Sequence, residues 1–271
     1  MNFRRLLGRL IPVEFQPPSG FPTTLLSAIG YFRLRTWLAN GGKTIPDAGL
    51  YRPLFAPWEG MADFERVYQL ARPHTLVSRD RCYILWRTLK QALRIEGDFV
   101  ECGVFRGGTA LLAASTISQQ SGGERKLHLF DSFRGLPSDT NSSERFSAGD
   151  FSRTSVSEVS AILSPYPLVS IHPGFIPGTF AEAPVRAIAW AHVDVDLYQS
   201  VTDCIEWIYP HLAAGGYLIF DDYGFPSCPG ARRAVDEAFA DKPEVPLCLP
   251  TGQCLVVKLP GEVQAFKRFE S

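Results

Sequence analysis

The 271-residue chain lacks several features that would assign its class at a glance. No CxxC spacing occurs among its six cysteines (82, 102, 204, 228, 248 and 254), and several of them lie inside apolar, strand-like runs. That pattern speaks against a zinc site or a disulfide framework and for reduced, buried thiols in a cytoplasmic protein. No stretch approaches the ~18 uninterrupted apolar residues that span a bilayer, and no signal-peptide pattern stands out. Charge of either sign is not in excess: the formal net charge is −1, so no nucleic-acid partner is expected. Neither the GxGxxG fingerprint of dinucleotide-binding proteins nor a Tyr-x-x-x-Lys proton-transfer pair is present, and no internal repeat is found.

What is there reads as one large α/β domain with a substantial core, preceded by an extension. Apolar residues make up 45% of the chain and charged residues 20%, which excludes global disorder. Residues 1–74 are rich in proline and aromatics without strand rhythm, and read as a helical accessory segment; 75–271 form the main domain. Phe3, Leu6, Leu7 and Leu10 alternate with Arg4, Arg5 and Arg9 at helical spacing, so residues 1–11 could touch a membrane surface weakly or pack on protein. From Thr75 onward, strands are expected at 97–103, 126–131, 168–174, 187–194 and 215–222. Helices are expected at about 78–94, 109–118, 199–211 and 230–240, with a Ser155-to-Glu158 capping box starting another. The last two strand patterns, VPLCL and QCLVVKL, are joined only by Pro250-Thr251-Gly252, which forces an antiparallel hairpin. The fold expected is a doubly wound, mostly parallel sheet with a C-terminal antiparallel hairpin. Between the second and third strands, the polar stretch 135–151 reads as a loop beside the cleft.

Four aspartates carry the strongest chemical signal. Asp194 and Asp196 end the fourth strand pattern, and Asp221 and Asp222 end the fifth. Ligands of open α/β sheets gather at the carboxyl ends of the strands, so two neighbouring strands would deliver these carboxylates to one small volume. Carboxylates that close repel one another, and a hard divalent cation such as Mg²⁺ relieves the repulsion. Strand alternation would put Asp194 and Asp196 on the same side.

A glycine-rich turn, Glu101 to Thr109, follows the first strand and opens a helix. Its GxxxGG spacing suits a ligand without a pyrophosphate, such as the sulfonium S-adenosylmethionine, whose ammonium group Glu101 could anchor. Asp131, at the end of the second strand, can accept the hydroxyls of a ribose, and would do so for NAD equally well. Candidate cofactor contacts are therefore Glu101, Gly103, Val104, Gly107, Thr109, Asp131 and Ser132. His128 and His192 lie within apolar strands and read as structural, while Tyr51, Phe55 and Trp58 could stack on a sugar or on the core.

Four stretches together, GDFVECGVFRGGT (97–109), LFDSFRGLP (129–137), VDVDLYQS (193–200) and GGYLIFDDYGFPSCPGARRAVDEAF (215–239), resemble the macrocin O-methyltransferase (TylF-type) family of S-adenosylmethionine-dependent enzymes. The resemblance implies a class I methyltransferase fold and Mg²⁺-dependent methylation of a sugar hydroxyl, often on a glycosylated natural product. It also implies that Asp194, Asp221 and Asp222 hold the metal and that Asp196 is the general base. The acidic pattern is similar to the metal site of catechol-type O-methyltransferases as well. The expected acceptor is a sugar or small-molecule glycoside, and a homo-oligomer is expected. Two other readings remain at this point: an NAD-dependent sugar oxidoreductase or epimerase, and a noncatalytic scaffold whose aspartates only cap strand ends.

Overall fold

The computed structural model describes residues 56–119, 125–138 and 146–261. The amphipathic 1–11 segment, Tyr51, Phe55 and the centre of the polar 135–151 loop lie outside the described residues. Helix α1 (Ala62–Ala71) leads through a short 3₁₀ turn (Arg72–His74) to α2 (Arg79–Ala92). Then come β1 (Asp98–Cys102), α3 (Gly108–Ser118), β2 (Leu127–Asp131), α4 (Val156–Leu163) and β3 (Val169–Pro173). The second half runs β4 (Ile188–Val193), α5 (Tyr198–His211), β5 (Leu212–Phe220), α6 (Pro229–Ala238), β6 (Leu247–Cys248) and β7 (Cys254–Val257).

The strands form one seven-stranded sheet in the order β3-β2-β1-β4-β5-β7-β6. The first five are parallel, and β7 runs antiparallel to both β5 and β6. Alternation along the strands sends successive side chains into two separate cores. Phe99, Trp190 and Ile219 enter a core shared with α1 to α4. Val100, Cys102, Val193, Leu218 and Phe220 enter another under α5 and α6. Because both faces of β1, β4 and the second half of β5 are covered, these strands read as nearly continuous apolar runs, interrupted by the buried Glu101 and His192. Helix α3, GTALLAASTIS, has no charged residue and only small hydroxyl-bearing polar ones because nearly its whole circumference is buried.

Two boundaries differ from expectation. Phe64, Val67 and Ala71 share the buried face of α1 and join the main core, so the compact unit begins at Trp58 rather than at Thr75. Strand β5 starts at Leu212, immediately after α5, because Leu212 already pairs with Ile188 ahead of an irregularity in the ladder. Ser155 caps α4 as expected, accepting from the backbone N–H of Glu158 at 3.2 Å. Among the described residues, no helix is long and apolar enough to cross a membrane.

The strand order reverses between β1 and β4, since the chain leaves β1 towards β2 on one side and returns to β4 on the other. A crevice opens at the carboxyl ends of strands at such a switch point. Cys102, Val193 and Phe220 end β1, β4 and β5 there, in register. The next residues in the chain are Gly103, Asp194 and Asp221.

Candidate active site

Gly103 explains how the floor of the crevice closes. Its φ is +86°, and a Cβ added there would lie 1.8 Å from the carbonyl oxygen of Asp194. Only glycine permits this approach of two strand ends. The glycines were expected to let a ligand come close to the backbone; at this position the close partner is the protein itself. Gly107 and Gly108 act alike, packing against Val159 and Ile162 of α4 and against Ala71, His74 and Thr75. We expect Gly103→Ala to cost about 2–4 kcal/mol, combining overpacking with left-handed strain. Thermal denaturation alongside cofactor-binding calorimetry checks this, and an unchanged melting temperature would refute it.

A cavity of about 310 Å³ lies over this floor, a size suited to a small-molecule site. Gly103, Val104, Thr109, Asp131 and Ser132 line one side, and Asp194, Asp196 and Asp222 line the other. Thr75, Leu76, Phe146, Phe151 and Phe175 contribute to the wall as well, so both ends of the polar loop reach the cavity. Glu101, Gly107 and Asp221 do not line it. Trp58 packs edge-on against Tyr83, their ring centres 5.9 Å apart, which is the core-packing alternative for that residue.

Asp131 organises the glycine turn. Its Oδ2 accepts the backbone N–H groups of Val104 at 2.7 Å and Phe105 at 2.8 Å, and its Oδ1 accepts that of Phe133 at 2.6 Å. Phe105 and Phe133 both have positive φ, at 50° and 53°. The carboxylate thus holds two strained turns in place while facing the cavity.

The acidic wall is built differently from a simple alternating strand. β4 ends at Val193, so Asp196 is aimed by a turn rather than by strand alternation: its φ is 59°, in the left-handed region. Its backbone N–H donates to Asp222 Oδ2 at 3.0 Å, and the Cys228 thiol lies 3.6 Å from its Oδ1. Burial, then repulsion from Asp221, pushes the Asp194 carboxyl well above the usual range. Burial, then repulsion from Asp194 and Asp196, does the same to Asp222. The pair is a set of hard oxygen donors short of positive charge, and a divalent cation fits that deficit.

Asp221 has a different environment. Its Oδ2 accepts from Arg81 Nη1, and its Oδ1 accepts from Gln253 Nε2 at 2.8 Å. Burial opposes ionisation, but His192, Arg81 and Gln253 outweigh it and hold the carboxyl below the usual range. Glu101 is also wholly buried. Its Oε1 lies 2.9 Å from His192 Nδ1, directly across the β1–β4 ladder. Its side chain therefore points beneath the acidic wall, and the expected contact with a cofactor ammonium group does not fit that placement. No local pattern marks Arg81 or Gln253 as belonging to the site; one lies on an ordinary amphipathic helix and the other in a hairpin turn.

The model of the macrocin-O-methyltransferase (TylF) family matches residues 68–247. The chain is 32% identical over 183 residues to demethyldecarbamoylnovobiocin O-methyltransferase of Streptomyces niveus, covering 62% of this chain and 68% of that protein. It is 31% identical over 179 residues to mycinamicin III 3''-O-methyltransferase of Micromonospora griseorubida, covering 60% and 69%. Among solved structures, the O-methyltransferase NovP superposes with a TM-score of 0.63 at 28% identity, covering 69% of this chain and 83% of that one. The calicheamicin methyltransferase CalS11 shares the fold, with a TM-score of 0.58 at 21% identity, covering 74% and 93%.

Proposed function

The chain belongs to the macrocin O-methyltransferase family of S-adenosylmethionine-dependent enzymes, and from that membership we propose that it methylates a sugar hydroxyl of a glycosylated small molecule with the help of Mg²⁺. Membership sets aside the NAD-dependent oxidoreductase and the noncatalytic scaffold. One observation carries the finer reading: Asp194, Asp196 and Asp222 face the Asp131-braced glycine turn across a single cavity. The relatives named above supply the substrate class, being O-methyltransferases of natural products.

S-adenosylmethionine, when bound, supplies a sulfonium methyl whose transfer to oxygen leaves a neutral thioether and one proton to be removed. The turn residues Gly103, Val104 and Thr109, with Asp131 and Ser132, form its side of the cavity. Mg²⁺, held by Asp194 and Asp222 with Asp221 behind them, would lower the pKa of an acceptor hydroxyl and orient it. Asp196 takes the hydroxyl proton as general base. An unperturbed aspartate is a weak base, with a pKa of about 3.9, so it serves only a hydroxyl already acidified and held within reach. The bond from its own N–H to Asp222 couples the base to the metal-binding wall, so the two keep one geometry. The apolar walls exclude water and hold the acceptor in line with the methyl group, where much of the rate gain arises.

Two outcomes test the assignment within its own terms. Asp131→Ala should raise the cofactor dissociation constant about 10- to 100-fold, because charge-assisted hydrogen bonds worth ~1.5–3 kcal/mol are lost and the turn loosens. Calorimetry with cofactor and with acceptor separately should locate the loss in the cofactor. Chelation of divalent cations should stop turnover while leaving the fold intact, and Mg²⁺ should restore it. The decisive assay incubates the protein with methyl-labelled cofactor, Mg²⁺ and a panel of nucleotide sugars, glycolipids and glycosides. Label should enter a glycoside hydroxyl, and full activity in rigorously metal-free buffer would remove Mg²⁺ from the reading.

A further inference from the structure

Five of the six cysteines are buried, and Cys248 alone is exposed. It lies on β6 directly opposite Cys254 of β7, the two Cα atoms being partners in the antiparallel ladder. The backbone N–H of Leu249 donates to the carbonyl of Gln253 at 2.8 Å, one step beyond the cysteines, which therefore form a non-hydrogen-bonded pair. In such pairs the Cα atoms stand ~4.5 Å apart and both side chains leave the same face of the ladder. A disulfide accepts Cα separations of roughly 4.4–6.8 Å, most often ~5.5–6 Å, so the pair lies within bridging range, at its short end. Cys254 sits in the core under α5 and α6. Burial, then the neighbouring Cys248, pushes its thiol up to about 12, so it stays protonated until drawn into reaction. Cys102 and Cys204 are neighbours too, but both are wholly buried and out of an oxidant's reach.

We propose that Cys248 and Cys254 are a redox-modification site, closing to a reversible disulfide when the protein meets a peroxide. The Cys248 thiolate attacks the O–O bond of hydrogen peroxide, which breaks to leave a sulfenic acid and, once the proton lost by the thiol is returned, water. The Cys254 sulfur then displaces the hydroxyl of the sulfenic acid, and its own proton departs with it as a second water. Two thiols are oxidised by two electrons, and one peroxide is reduced to two waters. Because the commonest disulfide separation exceeds that of the ladder pair, the bridge spreads the hairpin beside Gln253. Gln253 Nε2 donates to Asp221 Oδ1 at 2.8 Å, so oxidation at the sheet edge lengthens a bond behind the acidic wall. A bridge at an exposed position, held short of its preferred separation, is readily reduced. None of these steps needs the metal, the cofactor or the acceptor.

The test treats the full-length protein, without added ligands, with dilute hydrogen peroxide and then alkylates the remaining thiols under denaturing conditions. Trypsin should release residues 234–258, which hold both cysteines, two hydrogens lighter and unalkylated, and dithiothreitol should restore both alkylation sites. Cys102 and Cys204 should be alkylated throughout. In Cys248→Ser, which alters only an exposed side chain, Cys254 should stay a thiol. In protein ¹⁵N-labelled at glutamine, the side-chain amide signal of Gln253 is assigned from its absence in Gln253→Ala. That signal should shift on oxidation of wild type and stay in place in Cys248→Ser. A doubly alkylated peptide after peroxide treatment, or Cys248 carried on to sulfinic acid with Cys254 still a thiol, overturns the proposal. A bridge without the Gln253 shift overturns its link to Asp221.

Discussion

Asp196→Asn is expected to slow methyl transfer by ~10²–10⁴-fold, the usual contribution of a positioned general base. That loss corresponds to roughly 2.7–5.4 kcal/mol of transition-state stabilisation. Asparagine is the informative replacement because it tolerates the left-handed conformation that position 196 adopts, with φ at 59°. The backbone N–H that reaches Asp222 is retained, so the acidic wall keeps its shape. Cofactor and divalent-cation affinities should therefore stay close to wild type while the single-turnover rate falls. A variant that turned over at the wild-type rate would make Asp196 a bystander to proton transfer.

Asp194→Asn is expected to separate stability from function. In the metal-free protein this carboxyl is buried beside Asp221 and Asp196, and both disfavour its charge. Asparagine has nearly the same shape without the charge, so relief of about 1 kcal/mol would raise the melting temperature by roughly 2–4 °C. The same change removes a ligand that faces the cavity. Addition of Mg²⁺ should stabilise wild type, as binding to the native state alone requires, and should leave the variant unmoved. Activity should drop by at least ~10²-fold. Equal Mg²⁺-dependent stabilisation of both proteins would place the cation elsewhere.

Much of this molecule was legible in the residues because its signals are local. Apolar runs broken by carboxylates located β4 and β5, and the three-residue connection after Leu249 required the hairpin that β6 and β7 form. The acidic wall was visible because its members end neighbouring strands. What stayed hidden depends on register and on which face a strand presents. Glu101 and His192 are 91 residues apart, and only the β1–β4 pairing sets them side by side. From sequence alone, Glu101 could equally have faced the cavity, and His192 read as an ordinary core residue. Arg81 and Gln253 meet Asp221 from 140 and 32 residues away, with no local pattern to mark either. The position of Asp196 was anticipated for a reason that does not apply: a strained turn rather than strand alternation brings it to the cavity wall.

The bond from Gln253 to Asp221 also has a consequence for biosynthesis. Most of the sheet is encoded before residue 221, yet β7 inserts between β5 and β6, and Gln253 immediately precedes it in the hairpin turn. Until those residues leave the ribosome, a nascent chain would present β5 as an open apolar edge, with Leu218 and Phe220 still waiting for Val256 and Cys254. Asp221 would meanwhile lack one of its donors. Completion of the sheet and completion of the acidic wall are therefore one late event in translation, and a ribosome-stalled chain ending near residue 245 should be sticky as well as inactive.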